Sequence, residues 1–179
     1  MVEIAIISDT HVPSRADRIP DWVAERVREA DYTIHAGDFD SPEAYETVAD
    51  LAGDNFTAVA GNMDPESLDL PEIASVEVGD TTFVVTHGTA ATAEEYEETI
   101  AEAVNEELTG PGIAVAGHTH AVVDDDIEGI RFLNPGSATG ADPANVATMM
   151  TVEILEGEVN TKMYVEDVRV ENPEKYPEA

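Results

Sequence analysis

The residues of this chain that could do chemistry sit at the ends of short apolar runs. The run at 4–7 leads through Ser8 to Asp9 and His11, the run at 32–36 to Gly37 and Asp38, and the run at 57–60 to Gly61 and Asn62. The run at 83–86 ends at His87, and the run at 113–116 leads to Gly117, His118, Thr119 and His120. Cysteine is absent, so any metal must be bound by His, Asp, Glu or Asn. On an extended segment, residues two apart point to one side, which would pair Asp9 with His11 and His118 with His120. A glycine before Asp38 and before Asn62 lets the backbone turn sharply beside an ion. Four imidazoles, two carboxylates and an amide, with one carboxylate shared, give each of two ions four protein donors. Two divalent ions about 3.5 to 4 Å apart lower the pKa of a water between them and clamp the attacking and leaving oxygens of an in-line displacement. Their charge, less two carboxylates, attracts a small anionic substrate such as a phosphate ester. Mixed nitrogen and oxygen donors suit ions such as manganese, nickel, iron, cobalt or zinc, with magnesium admissible, better than calcium.

Continuous β-branched runs of four or five residues predict strands buried on both faces of a central sheet. Between them, Ile19, Trp22, Val23, Val27 and Ala30 share one helical face, as do Tyr45, Val48, Ala49 and Ala52. Ser41 before Pro42 predicts an N-cap and first helical position. The longest helical pattern spans 94–108, with Tyr96, Ile100, Val104 and Leu108 every fourth residue and glutamates on the other faces. Alternating strand and helix predicts right-handed crossovers and an α/β fold with a parallel or mixed sheet. Ligands then bind beyond the carboxyl ends of the strands, where the polar residues lie. After His120 the runs at 122–127, 130–133, 147–155 and 159–165 read as antiparallel hairpins, expected to form a second sheet packed on the first. One domain at 1–170 with a tail at 171–179 accounts for the 179 residues.

The set Asp9-Thr10-His11, Gly37-Asp38, Gly61-Asn62, His87 and Gly117-His118-Thr119-His120 resembles the calcineurin-like metallophosphoesterase signature. The nearest likeness is to its small single-domain YfcE-like phosphodiesterase branch, whose non-catalytic relative is a retromer subunit; Asn134-Pro135-Gly136-Ser137 also resembles that branch. The resemblance implies a four-layer α-β-β-α sandwich of two mixed sheets flanked by helices, and a dinuclear phosphodiesterase with manganese as the favoured ion. It further implies Asp9, His11, Asp38 and His120 on one ion, and Asp38, Asn62, His87 and His118 on the other. The rival expectation is a protein-interaction scaffold of the retromer-subunit type. One departure stands out: many members carry His directly after the motif asparagine, where this chain has Met63 and then Asp64. A thioether donates no proton, which leaves Asp64 as a candidate catalytic acid. Asn134 reads equally as a substrate contact or a turn residue. His35 reads as a buried, hydrogen-bonded histidine rather than a support for Asp38, and Arg15 and Arg18 as a solvated loop rather than phosphate ligands.

Charge bounds the partners. Acidic residues number 39 against 8 basic, a formal charge of −31. Such a surface repels phosphate backbones and anionic lipid headgroups, so neither nonspecific nucleic-acid binding nor membrane association is expected. With 42% hydrophobic residues in periodic runs the chain can bury a core, so the acidity does not read as disorder. The scattered acidity suits a halophilic cytoplasm, where salt screens self-repulsion. A start that reaches Ser8 and Asp9 at once reads as no signal peptide, and a cytoplasmic protein, a homodimer being admissible, is the expectation.

Overall fold

The structure, a computed structural model, describes residues 1–170. The expected tail at 171–179 lies outside the described residues. Strand β1 (Val2–Ile7) is followed by α1 (Asp21–Glu29), β2 (Tyr32–His35), α2 (Pro42–Ala52) and β3 (Phe56–Ala58). Strands β4 (Ile73–Val78) and β5 (Thr81–Thr86) precede α3 (Ala93–Glu107) and β6 (Gly112–Val115). The chain continues through β7 (Val122–Ile127), β8 (Ile130–Pro135), β9 (Thr148–Leu155), β10 (Glu158–Val165) and β11 (Val168–Val170). These strands form two mixed sheets, ordered β11-β10-β9-β1-β2-β3 and β4-β5-β6-β8-β7.

Side-chain alternation explains the layering. Along β1, Ile4 and Ile6 face the space between the sheets, where they meet Phe83, Val85, Val115 and Leu133. Ala5 and Ile7 point the other way, onto Val23 and Val27 of α1 and Val48 of α2. On the second sheet, Val84, Ala114 and Phe132 face outward onto Tyr96, Ile100 and Val104 of α3. The result is the four-layer α-β-β-α sandwich. Helix α2 begins as its sequence predicts, Ser41 accepting from the Ala44 N–H with Pro42 at the first helical position. Helix α1 starts after Pro20, so Ile19 precedes it rather than opening it. None of the described helices is long and apolar enough to cross a membrane.

Two expectations about the sheets need correction. The five apolar runs do not share one sheet: β1, β2 and β3 pair in parallel in the first, while β5 and β6 pair in parallel in the second. The later strands do not make a sheet of their own either. Strand β9 adds antiparallel to the free edge of β1, and β8 adds parallel to β6. Each sheet is thus a parallel half widened by a hairpin, so that both have enough apolar surface to cover each other. Strand β4, an edge strand whose Ala74, Val76 and Val78 turn toward the core, carries only a weak apolar run and had no counterpart in the sequence reading.

Candidate metal centre

The carboxyl ends of β1, β2, β3, β5 and β6 gather at one rim, and all seven expected residues meet there. The two-residue spacings work differently from expectation. Strand β1 stops at Ile7, and Asp9 and His11 lie beyond it with φ of +53° and +45°. Asp38, His118 and His120 are also left-handed, at +64°, +71° and +59°. The side chains converge through kinked backbone rather than strand alternation, at a conformational cost that persists only where the surroundings enforce it. Glycine is needed for close approach at three of these loop positions: a Cβ at Gly61 would collide with the Asp38 carboxylate, one at Gly117 with the Ser8 hydroxyl, and one at Gly37 with the Gly61 backbone and the His87 ring.

The histidines share one feature. A backbone carbonyl or a carboxylate can only accept, so a ring nitrogen bonded to one must carry the proton. His87 donates from Nδ1 to the Ala36 carbonyl at 2.7 Å, and His120 from Nδ1 to the Ala141 carbonyl at 2.8 Å. His11 donates from Nδ1 to Asp40 Oδ1 at 2.9 Å, and His118 from Nε2 to the Ala90 carbonyl at 2.9 Å. Every ring therefore turns its second nitrogen inward. His11 Nε2 lies 3.1 Å from His120 Nε2. Asn62 Oδ1 lies 3.1 Å from His87 Nε2 and 3.2 Å from His118 Nδ1. Lone pairs this close repel unless a proton or a cation lies between them.

The carboxylates complete the set. Asp38 Oδ1 accepts the Met63 N–H at 2.8 Å. Its Oδ2 stands 3.1 Å from His87 Nε2 and 3.5 Å from His11 Nε2, between the two groups of imidazoles. Asp9 Oδ2 accepts from Ser8 Oγ at 2.7 Å and from the His118 N–H at 3.1 Å. Asp9 Oδ1 is buried with no hydrogen-bond partner, yet lies 3.3 Å from His120 Nε2. An orphaned buried carboxylate oxygen facing imidazole nitrogens is what a divalent cation would satisfy, and the donor set fits one. Among the described residues three groups have the spacing to hold an ion, two of them with histidines: Asp9, His11 and His120, and Asp9, Asp38 and His87.

Titration follows the same geometry. Burial pushes the Asp9 carboxyl up, but the imidazoles of His11, His120 and His87 around it outweigh that and leave the pKa well below the carboxylate range. Burial pushes His87 down, yet the Asp38 carboxylate and the charges of Asp9 and Asp38 carry it up to about 9. His35 differs: wholly buried, it is driven down to about 3 by desolvation. Its Nδ1 accepts the Gly37 N–H at 3.1 Å and its ring stacks on Phe39 at 3.6 Å, so it holds the loop that carries Asp38.

Asp64 and Asn134 stand outside this cluster. Asp64 Oδ2 accepts the N–H groups of Asp38 at 2.9 Å and Gly61 at 2.8 Å; Oδ1 accepts those of Phe39 at 2.7 Å and Asp40 at 2.9 Å. Four backbone donors occupy the carboxylate, so it faces the loops and not a leaving group. The same bonds account for the trio Asp38, Asp40 and Asp64 without an ion. Asn134 is fully buried, its amide N–H groups directed at Tyr96 Oη, the Gly117 carbonyl and Thr119 Oγ1 and its oxygen accepting the Gly136 N–H. It braces the His118 loop and has no group free toward the cleft. Met63 is 43% exposed beside the cluster. Arg15 donates to the Asp142 carbonyl and Arg18 pairs with Asp21 in solvent, as a surface loop would. Asp40 was missed from sequence; its signal was a carboxylate two residues after Asp38, where it orients His11 and accepts from Ser14.

Comparison with known proteins agrees with this geometry. A probable metallophosphoesterase of Methanocaldococcus jannaschii is 35% identical over 76% of this chain and 68% of its own length. One of Methanothermobacter thermautotrophicus is 31% identical over 87% and 90%. A second M. jannaschii protein, named a phosphodiesterase, is 29% identical over 78% and 86%. The fold matches that of Vps29 from Chaetomium thermophilum with a TM-score of 0.78 at 23% identity, over 92% of this chain and 86% of that one. Residues 2–157 match the calcineurin-like phosphoesterase superfamily domain, and the chain belongs to that family.

Proposed function

We propose that the protein is a dinuclear metal-dependent phosphodiesterase. The observation that carries this reading is the common arrangement of the four histidines, each with one nitrogen committed to a carbonyl or carboxylate and the other turned inward toward the cluster. Asp9, His11, Asp38 and His120 would hold one ion, and Asp38, Asn62, His87 and His118 the other, with Asp38 shared. Manganese is the proposed metal, on the family resemblance, and the mixed donor set admits it. Divalent ions held there supply a nucleophilic water at neutral pH and charge neutralisation at the phosphate oxygens. The chain fixes the tautomers, excludes bulk water from Asp9 and His11, and supplies two carboxylates that balance part of the cationic charge. No side chain of the cluster is free to protonate a departing alkoxide: Met63 cannot, and Asp64 faces the backbone.

The relative named a phosphodiesterase supports the preference for diesters. The interaction-scaffold reading draws on the likeness to Vps29, which concerns the fold. Equilibrium dialysis with manganese, followed by turnover of bis-p-nitrophenyl phosphate and p-nitrophenyl phosphate in high salt, separates them. Two ions per chain and faster cleavage of the diester are expected. A chain that takes up no metal and cleaves neither ester is the scaffold.

A further inference from the structure

A cleft of about 400 Å3 opens beside the metal centre, with Asn62 and His87 at one end. Its walls are Glu72 before β4, Thr86 at the end of β5, Thr89 in the loop that follows, and Thr99 on α3. The volume lies within the range of small-molecule sites and takes a small alcohol with room to spare. Away from Asn62 and His87 the lining offers three threonine hydroxyls, the Glu72 carboxylate and the backbone of Ala60 and Gly88, with no lysine or arginine. That absence extends well beyond the cleft: from Glu29 to Ile130 the chain has no Lys or Arg. Glu72 is exposed and makes no hydrogen bond or ion pair among the described residues, which leaves its carboxylate available to a ligand.

We propose that this cleft binds one alcohol arm of the ester, and that the arm is an amino alcohol or similarly cationic, donor-rich group rather than a second anion. The proposal rests on the phosphodiesterase reading, since the phosphate itself must sit at Asn62 and His87. Beyond the metal end of the cleft, an anionic arm would meet the Glu72 carboxylate and no lysine or arginine of the lining. A cationic arm meets Glu72, and its N–H or O–H donors meet the threonine oxygens.

Three p-nitrophenyl diesters test it, all at saturating manganese and one fixed moderate salt: the 2-aminoethyl, the 2-carboxyethyl and the methyl ester. The aminoethyl ester should exceed the carboxyethyl ester about five- to tenfold in kcat/KM, the scale of one attractive contact set against one repulsive contact near a surface. Glu72→Gln should shrink that ratio, and Thr99→Lys should raise kcat/KM for the carboxyethyl ester. Equal use of the two charged esters by the unaltered protein, or a ratio untouched by Glu72→Gln, overturns the proposal. The methyl ester, too small to fill the cleft, reports hydrolysis itself. If none of the three is cleaved, the phosphodiesterase reading fails alone, and dissociation constants of the same esters for the manganese-loaded protein still decide whether the cleft prefers the cation.

Discussion

At the scale of single residues, the carboxylate that sequence reasoning offered as an acid is a clamp. Asp64 ties four backbone N–H groups of two ligand loops to one side chain, and two of the clamped residues, Asp38 and Asp40, have φ of +64° and +80°. Asp64→Asn keeps the shape but sets an NH2 group against two of the donors. Leaving those donors unsatisfied costs about 2 kcal/mol or more. The expected result is a lower Tm of the metal-free protein and manganese affinity weakened more than tenfold, both read without turnover. Asp38→Asn, by contrast, removes the oxygen between the imidazole groups and should lose both ions at once. Two tightly bound ions per chain in Asp38→Asn would contradict its shared role. Met63 leads to a third expectation. With no proton donor beside Asn62, rates over a series of aryl and alkyl diesters should fall steeply as the leaving-group pKa rises, and Met63→His should flatten the slope. A shallow slope in the unaltered protein, unchanged by the histidine, would reveal another acid.

At the scale of elements, the sequence was most legible where a strand is buried on both faces. Runs such as 4–7 and 83–86 have no other use for four consecutive apolar side chains, and both are strands. Legibility ended at partner choice, because an apolar run does not name the edge it joins; β9 could not be assigned to β1 from its own residues. The seven clustered residues were readable from their types and order, but the left-handed kinks that aim five of them were not, since Asp and His adopt positive φ more often than most residues yet do so in only a small minority of cases. His35, at the end of β2, shows how an element carries its own pH dependence. Its folded pKa of about 3 lies below the ordinary 6.5, so the unfolded chain takes up a proton in that window while the folded chain does not. The stability that its neutral ring contributes is complete above pH 6.5 and is lost as pH falls toward 3, by up to about 1.4 kcal/mol per unit. His35→Asn keeps an acceptor for the Gly37 N–H but cannot titrate. Urea unfolding from pH 7 to 4 should show the variant less stable at pH 7 and the gap closing in acid; a constant gap would mean that His35 is not buried as the neutral ring.

At the scale of the whole molecule, the charge of −31 is offset by few ion pairs among the described residues. Arg18 pairs with Asp21, Arg26 with Asp167, Arg131 with Asp124 and Lys162 with Glu153, while the exposed glutamates of α3 make no ion pair among the described residues. Folding brings those charges closer together than the extended chain holds them, so self-repulsion opposes the compact state. At 0.1 M salt the Debye length is about 10 Å, long enough for neighbouring carboxylates to interact, and near 1 M it is about 3 Å, shorter than most of their separations. Stability should therefore rise steeply over the first molar of salt. Beyond that, further gain must come from ions that strengthen apolar burial rather than from screening. Measured in potassium chloride and potassium sulfate at matched ionic strength, Tm should climb together below 1 M, where only screening acts, and diverge above it in favour of sulfate. The metal centre makes a useful internal comparison. Asp9 and His11 are buried and screened little by bulk salt, so manganese affinity should change far less than Tm across the same series. A Tm that stays flat or falls between about 0.1 and 2 M would show that the acidic surface does not strain the fold.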